Sequence, residues 1–208
     1  ELKRSLAELG TVNLAAIEEY ARVKERYEFL TGQLTDLEEA KGALYKVINE
    51  MNQIMTVRFR EAYEAINRNF TEVFTELFGG GRAHLQLTDG DNLLETGIDI
   101  IAQPPGKKPQ HLSLLSGGER ALTAIALLFA ILKVKPSPFC VLDEIEASLD
   151  EANVTRFADY VKAFSEKSQF IVITHRKGTM QVADVLYGVT MDETGVSKLV
   201  SMKFSEAS

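Results

Sequence analysis

The 208-residue sequence has one cysteine, Cys140, no proline in its first 78 residues, no excess of positive charge and no long apolar run. A single cysteine excludes a disulfide framework and any multi-cysteine metal site, and fits a reducing compartment. The chain carries 23 Lys+Arg against 30 Asp+Glu, a formal net charge of −7. That balance argues against a protein that coats nucleic acid by charge alone, while leaving room for a local basic patch. No stretch approaches the ~18–20 apolar residues of a membrane span. The longest, residues 121–134, is interrupted by Thr123 and Lys133, so no membrane contact is expected. The opening Glu1-Leu2-Lys3-Arg4 has neither an initiator Met nor a signal-peptide core, and the chain is expected to be a piece of a longer protein. What is present is 45% hydrophobic, enough for a core.

The proline-free segment predicts a long helix. Apolar residues step by three and four through Tyr20, Val23, Tyr27, Leu30, Leu34 and Leu37, and again from Leu44 and Ile48 to Phe70, Phe74 and Leu77. This is an a/d seam of the coiled-coil kind, expected over residues 1–78 as an arm. Lys41 sits in the seam, and Gly32 and Gly42 weaken the helix by about 1 kcal/mol each relative to Ala. Gly10-Thr11-Val12-Asn13 reads as a break, with Asn13 as an N-cap. A helix from residue 13 to 78 would be on the order of 100 Å long, and its seam needs a second helix. A compact bundle is the alternative, but the loops it requires are missing.

Gly79-Gly80-Gly81 ends the helix, and residues 79–208 read as an α/β lobe. Strands are expected at 82–88 and 97–102, about an Asp89-Gly90-Asp91 turn, followed by a proline-rich loop at 104–109. A helix at 117–134, a strand at 139–143, a helix at 151–165 and a strand at 169–174 come next. A short helix near 179–183 and strands at 185–190 and 197–203 complete the pattern, with a frayed tail at 205–208. The alternation of strand and helix predicts a mainly parallel sheet flanked by helices.

Four segments carry chemistry. Leu115-Ser116-Gly117-Gly118-Glu119 precedes an apolar helix; its glycines let backbone approach a ligand, and the free amides and helix dipole favour an anion. Phe139-Cys140-Val141-Leu142-Asp143-Glu144 is an apolar strand ending in two acids, a Walker B pattern. Asp143 would hold Mg²⁺, directly or through water, and Glu144 would polarise an attacking water as general base. Asp150, after Ala147-Ser148-Leu149, can N-cap the next helix or serve a dimer interface. His175 ends the strand Ile171-Val172-Ile173-Thr174, where it could donate to a phosphate or to the attacking water. Each alone has a plain structural alternative: an N-capped helix start, a solvated acidic turn, a cap, an incidental histidine. Their order makes chance co-occurrence small.

That order resembles the ATP-binding-cassette ATPases, and the wording narrows it. Transporter cassettes usually end the signature in Gln and follow Asp-Glu with Pro-Thr; here Glu119 ends it and Ile145-Glu146 follow. Residues 140–154, 170–180 and 183–191 resemble the bacterial structural-maintenance-of-chromosomes (SMC) family, as do Pro104-Pro105-Gly106-Lys107-Lys108 and residues 12–20. The resemblance covers almost the whole chain. It implies the C-terminal half of an SMC head with the stub of its coiled-coil arm. It also implies that Ser116, Gly117, Gly118 and Glu119 bind the γ-phosphate side of an ATP held mainly by an opposite head. Asp143 assists Mg²⁺, Glu144 is the catalytic base, Asp150 lies in the loop crossing the dimer interface, and His175 is the switch histidine. The implied partners are the N-terminal half of the same protein, a second head, a kleisin subunit with its associated winged-helix partner, and chromosomal DNA met by the assembled complex. The implied location is the cytoplasm, at the nucleoid.

One departure is large. No G-x-x-x-x-G-K-[ST] phosphate-binding loop (Walker A) occurs anywhere in the sequence; Gly106-Lys107 is followed by Lys108, and Ile101 stands where the first glycine belongs. The family keeps that loop in its N-terminal half, so this chain should hold half a site and be inactive alone. Residues 1–78 carry 10 basic and 14 acidic side chains, so the arm is not a DNA-binding stripe. The pairs Lys107-Lys108 and Arg176-Lys177 are expected in solvated loops. The alternatives are a double-strand-break repair ATPase of similar architecture, a membrane-transporter cassette, and a non-catalytic kleisin-binding module.

Overall fold

The computed structural model describes residues 3–4, 15–191 and 195–203. The expected break and Asn13 cap, and the tail at 205–208, lie outside these residues. The first described long element is helix α1, Ala16–Phe78, 63 residues without proline and with Glu18 and Glu19 complementing the dipole of its first turn. The chain divides into two compact units within this helix, one ending at Met55 and the other beginning at Thr56. In the first unit every described residue from 15 to 55 is exposed, including Tyr20, Leu30, Leu34 and Leu37. A Cβ on Gly32 or Gly42 would meet nothing within 4 Å, so packing within this chain does not demand either glycine.

In the second unit the same helix enters a core. Phe70, Val73, Phe74, Leu77 and Phe78 are buried, and the Phe74 and Phe78 rings stack with centroids 4.0 Å apart. A polar stripe at four-residue spacing runs beside them. The Tyr63 hydroxyl donates to the Leu85 carbonyl (2.7 Å), Asn67 Oδ1 accepts from the Leu85 N–H (2.7 Å), the Thr71 hydroxyl donates to the Ala83 carbonyl (2.7 Å), and the Thr75 hydroxyl donates to the Gly81 carbonyl (3.2 Å). These side chains satisfy the outer edge of strand β1, Arg82–Leu87. The turn between them needs Gly81: its φ is 75°, and a Cβ there would lie 2.3 Å from the Gln103 carbonyl oxygen.

β1 pairs antiparallel with β2, Ile98–Gln103, in register Arg82↔Gln103 through Leu87↔Ile98. β2 in turn pairs antiparallel with a two-residue β3, Gln110–His111, which the sequence pattern does not reveal. Helix α2, Gly117–Val134, and strand β4, Phe139–Asp143, follow with the bounds expected. Helix α3, Glu151–Phe164, crosses to β5, Gln169–Ile173, which lies parallel to β4 from Phe139↔Gln169 to Asp143↔Ile173. Helix α4, Lys177–Gln181, begins two residues earlier than its pattern suggests. β6, Val185–Met191, and β7, Ser197–Lys203, form an antiparallel pair.

The expectation of a mainly parallel sheet is therefore corrected. Among the described residues only β4–β5 is parallel, and the strands fall into three separate sheets. The physical reason is connection length. Ten residues separate β1 from β2 and five separate β6 from β7, too few for the crossover that parallel pairing needs, whereas β4 and β5 have a helix between them. The core beneath is aromatic: Phe129 is fully buried, and the rings of Phe157, Tyr160, Phe164 and Phe170 surround it at 4.9–6.4 Å. Burial raises the Tyr160 phenol pKa to about 12, with Glu76 and Glu72 of α1 adding to the shift. One face of the parallel pair stays open, with Phe139, Val141, Ile171 and Ile173 all exposed.

Candidate nucleotide site

Ser116 is the N-cap of α2, in extended conformation, so the amides of the first turn lack intrahelical partners. Glu119 folds back over it. The Ser116 N–H and hydroxyl both donate to Glu119 Oε2, at 3.1 and 2.7 Å. Lys107 Nζ lies 2.8 Å from Glu119 Oε1. The Lys107 hydrogen bond, then that from Ser116, holds the Glu119 carboxyl below its ordinary range. Lys107 is itself placed by Gln103, whose Nε2 donates to the Lys107 carbonyl (2.9 Å), while Arg82 Nε donates to Gln103 Oε1 (2.8 Å). Lys107 is thus no free solvated charge.

The second cluster stands at the ends of the parallel strands. Asp143 closes β4 with an exposed carboxylate that engages no hydrogen bond or ion pair among the described residues. Glu144 turns sharply out of the strand at φ 47°, the only non-glycine with positive φ among the described residues. Its N–H donates to the Ile173 carbonyl (2.9 Å). Its Oε1 lies 3.5 Å from His175 Nδ1, with both side chains more than half exposed. No group of three or more His, Cys, Asp or Glu among the described residues could hold a metal. Asp143 fits as a single Mg²⁺ ligand, with the remaining oxygens coming from water and phosphate.

The two clusters approach through the loop between β4 and α3. A Cβ on Gly118 would lie 3.2 Å from the Ser148 carbonyl oxygen, so the start of α2 closes on that loop because residue 118 is glycine. Asp150 caps α3: its Oδ1 accepts from the Asn153 N–H (2.8 Å). It is exposed and sits beside Leu149, which is buried. The geometry thus gathers Ser116, Gly117, Gly118, Glu119 and the 147–150 loop on one side, and Asp143, Glu144 and His175 on the other. Sequence reasoning missed Lys107, Glu146 and Arg176 as members of these clusters. Glu146 has no role in the sequence pattern beyond following Asp143-Glu144, yet it is 1% exposed. Arg176 reads as a solvated cation, yet its guanidinium donates to the Ala147 and Leu149 carbonyls at 2.7 and 3.1 Å.

A protein-family model described as the RecF/RecN/SMC N terminal domain matches residues 8–198. The chain belongs to this family. It is 64% identical over 205 residues to the chromosome partition protein Smc of Bacillus subtilis (strain 168), an alignment that covers 99% of this chain and 17% of that protein. The chain therefore spans about a sixth of the relative's length. Among solved structures, it resembles the Smc head domain with an extended coiled coil bound to the C-terminal domain of ScpA from Pyrococcus furiosus, with a TM-score of 0.71 and 44% identity over 90% of this chain and 47% of that one. A second neighbour comes from work on ATP-driven dimerization and DNA stimulated activation of SMC ATPases, with a TM-score of 0.67 and 49% identity over 71% of this chain and 89% of that one.

Proposed function

We propose that this chain is the C-terminal half of an SMC-type head with its arm stub, 1–78 forming the arm and 79–208 the lobe, and that it supplies the signature and Walker B sides of an ATP site completed by other polypeptide. The observation that carries the reading is the approach of Gly118 to the Ser148 carbonyl, which sets the Ser116 helix start beside the loop leading from Glu144. Supporting it, the sequence has no G-x-x-x-x-G-K-[ST] loop, so the β-phosphate cradle must come from elsewhere. The likeness to a chromosome partition protein favours a place in the cytoplasm at the nucleoid.

The chemistry follows from the groups present. Ser116 with the Gly117 and Gly118 amides meets the γ-phosphate of an ATP bound mainly by a second head, where aimed donors stabilise the charge of phosphoryl transfer. Glu144 accepts the proton of the attacking water, and His175 steadies that water or the phosphate. Asp143 would hold Mg²⁺, which neutralises phosphate charge when bound. Asp150 lies on the loop that runs across the head–head interface. Because the donors reach phosphate only when two heads close, ATP shifts the population towards the closed dimer.

The open apolar face of β4–β5 fits burial by the N-terminal half of the same protein. The exposed residues on one face of β6–β7, Tyr187, Val189, Met191 and Leu199, fit docking of a kleisin's winged-helix domain, as a Pyrococcus furiosus Smc head binds the C-terminal domain of ScpA. The kleisin would bring its associated winged-helix partner, and DNA would meet the assembled dimer. The relatives named here are chromosome partition proteins and SMC heads, which favours this reading over a break-repair ATPase.

The test is ATP turnover of the chain alone and mixed with an N-terminal head half that carries Walker A. Turnover is expected only in the mixture. Glu144→Gln should lower it by about 10²-fold or more and prolong the closed dimer seen by size-exclusion chromatography. Ser116→Arg should abolish ATP-dependent dimerisation, because the guanidinium fills the space phosphate needs; a Ser116→Arg dimer that still forms refutes the assigned role. Turnover by the chain alone refutes the half-site.

A further inference from the structure

Glu146 is a carboxylate with no place in the proposed chemistry, and it is buried to 1% exposure. An acidic side chain in that position is costly unless its surroundings give it hydrogen bonds. Two hydroxyls do so. Thr174 and Thr179 both donate to Glu146 Oε1, at 2.5 and 3.0 Å, while Oε2 is buried without a partner among the described residues. Thr174 Oγ1 also accepts from the Arg176 N–H at 3.0 Å. Arg176 returns across the gap to the Ala147 and Leu149 carbonyls.

These contacts lie on either side of two working residues. His175 stands between Thr174 and Arg176, both fastened to the 146–149 loop. Glu144 opens that loop in the left-handed conformation, which a non-glycine residue keeps only where neighbouring structure holds it. The Ala147 N–H donates to the Glu144 carbonyl (3.0 Å), and the Leu149 N–H to the Glu146 carbonyl (3.0 Å), so the loop is wound on itself and then bolted to the strand end beyond β5. Glu144 and His175 are themselves exposed, and their side chains face each other at 3.5 Å without a hydrogen bond. Glu146 lies two residues beyond Glu144, and Thr174 immediately precedes His175.

We propose that Glu146, with Thr174, Thr179 and Arg176, is a positioning device that holds the Glu144 carboxylate and the His175 imidazole in register, so that it governs the chemical step and leaves nucleotide binding alone. The inference rests on the roles given above to Glu144 and His175. None of the four residues needs to touch ATP, and Ser116 binds phosphate from a different element.

The test is steady-state ATP turnover of the assembled head with Glu146→Ala, Glu146→Gln and Thr179→Val, beside Glu144→Gln. Misplacement of a reacting group predicts a kcat loss of about tenfold or more for Glu146→Ala with KM for ATP within about twofold. Glu146→Gln keeps an oxygen that accepts from both hydroxyls and should recover most of the rate. Thr179→Val, which removes one donor and keeps the shape, should fall between them and serves where Glu146→Ala fails to fold. A full rate in Glu146→Ala, a KM rise matching any kcat loss, or a Glu146→Gln no better than Ala, overturns the inference. If Glu144→Gln turns over like the parent, it is the ATPase reading that fails. The device is also read without turnover, by amide hydrogen exchange on the chain itself. Glu146→Ala should speed exchange at Arg176, Ala147 and Leu149 together by about tenfold; unchanged exchange at Arg176 refutes the link.

Discussion

The two stretches of α1 carry the same apolar step and meet opposite fates. From residue 15 to 55 the helix is exposed on every side, and Leu34 keeps 56% of its surface in solvent. Further along, Phe70 and Phe74 are fully buried. Periodicity alone does not separate them. The difference lies in what interleaves the stripe. The later stretch carries Tyr63, Asn67, Thr71 and Thr75 on a second face, each bonded to backbone of β1 or of the turn before it. The earlier stretch offers glutamates and lysines, of which Lys24 and Glu28 form an ordinary exposed i,i+4 pair at 3.8 Å. A helix that docks on a sheet must satisfy an edge as well as bury a stripe; the exposed stretch carries only the stripe.

That contrast can be broken in three ways. The largest effect is expected from Phe74→Ala, which empties a fully buried site and should destabilise the 208-residue chain by about 3–5 kcal/mol in urea unfolding. Leu34→Ala in the same assay should cost under about 0.5 kcal/mol; equal losses would erase the distinction. Next is Asn67→Ala. It strips the Leu85 N–H of its acceptor in a part-buried place and should cost about 1–3 kcal/mol, whereas a cost near zero would mean water replaces the amide. The smallest is Gly42→Ala. Its added Cβ meets nothing, so helicity of the exposed stretch should rise by about 1 kcal/mol or less, read by circular dichroism during a thermal melt. A fall in helicity would show that residue 42 needs to be glycine.

Much of the fold was legible because its cues are local. The Ser116 cap, the apolar run to Val134, the apolar strand ending in Asp143 and the Asp150 cap mark α2, β4 and α3, and each begins where its pattern puts it. The sheet order was not legible, since pairing depends on which connections are short, and β3 is only two residues long. The candidate site divides in the same way. Ser116, Asp143, Glu144 and His175 stand at element ends, where a pattern of apolar run and terminal polar residue exposes them. Lys107, Glu146 and Arg176 act through partners 12 to 33 residues away, and no spacing along the chain announces such a bond.

The hydroxyl of Ser116 already has a recipient for its proton, since it donates to a Glu119 carboxylate whose charge Lys107 partly offsets. A phosphate oxygen reaching Ser116 therefore exchanges one anionic acceptor for another and makes no wholly new bond. In the proposed site such an exchange would add little to the grip on a nucleotide and more to its orientation. In the proposed half-site it would give the serine a resting posture to return to, and would keep the two head surfaces from being glued by the ligand between them.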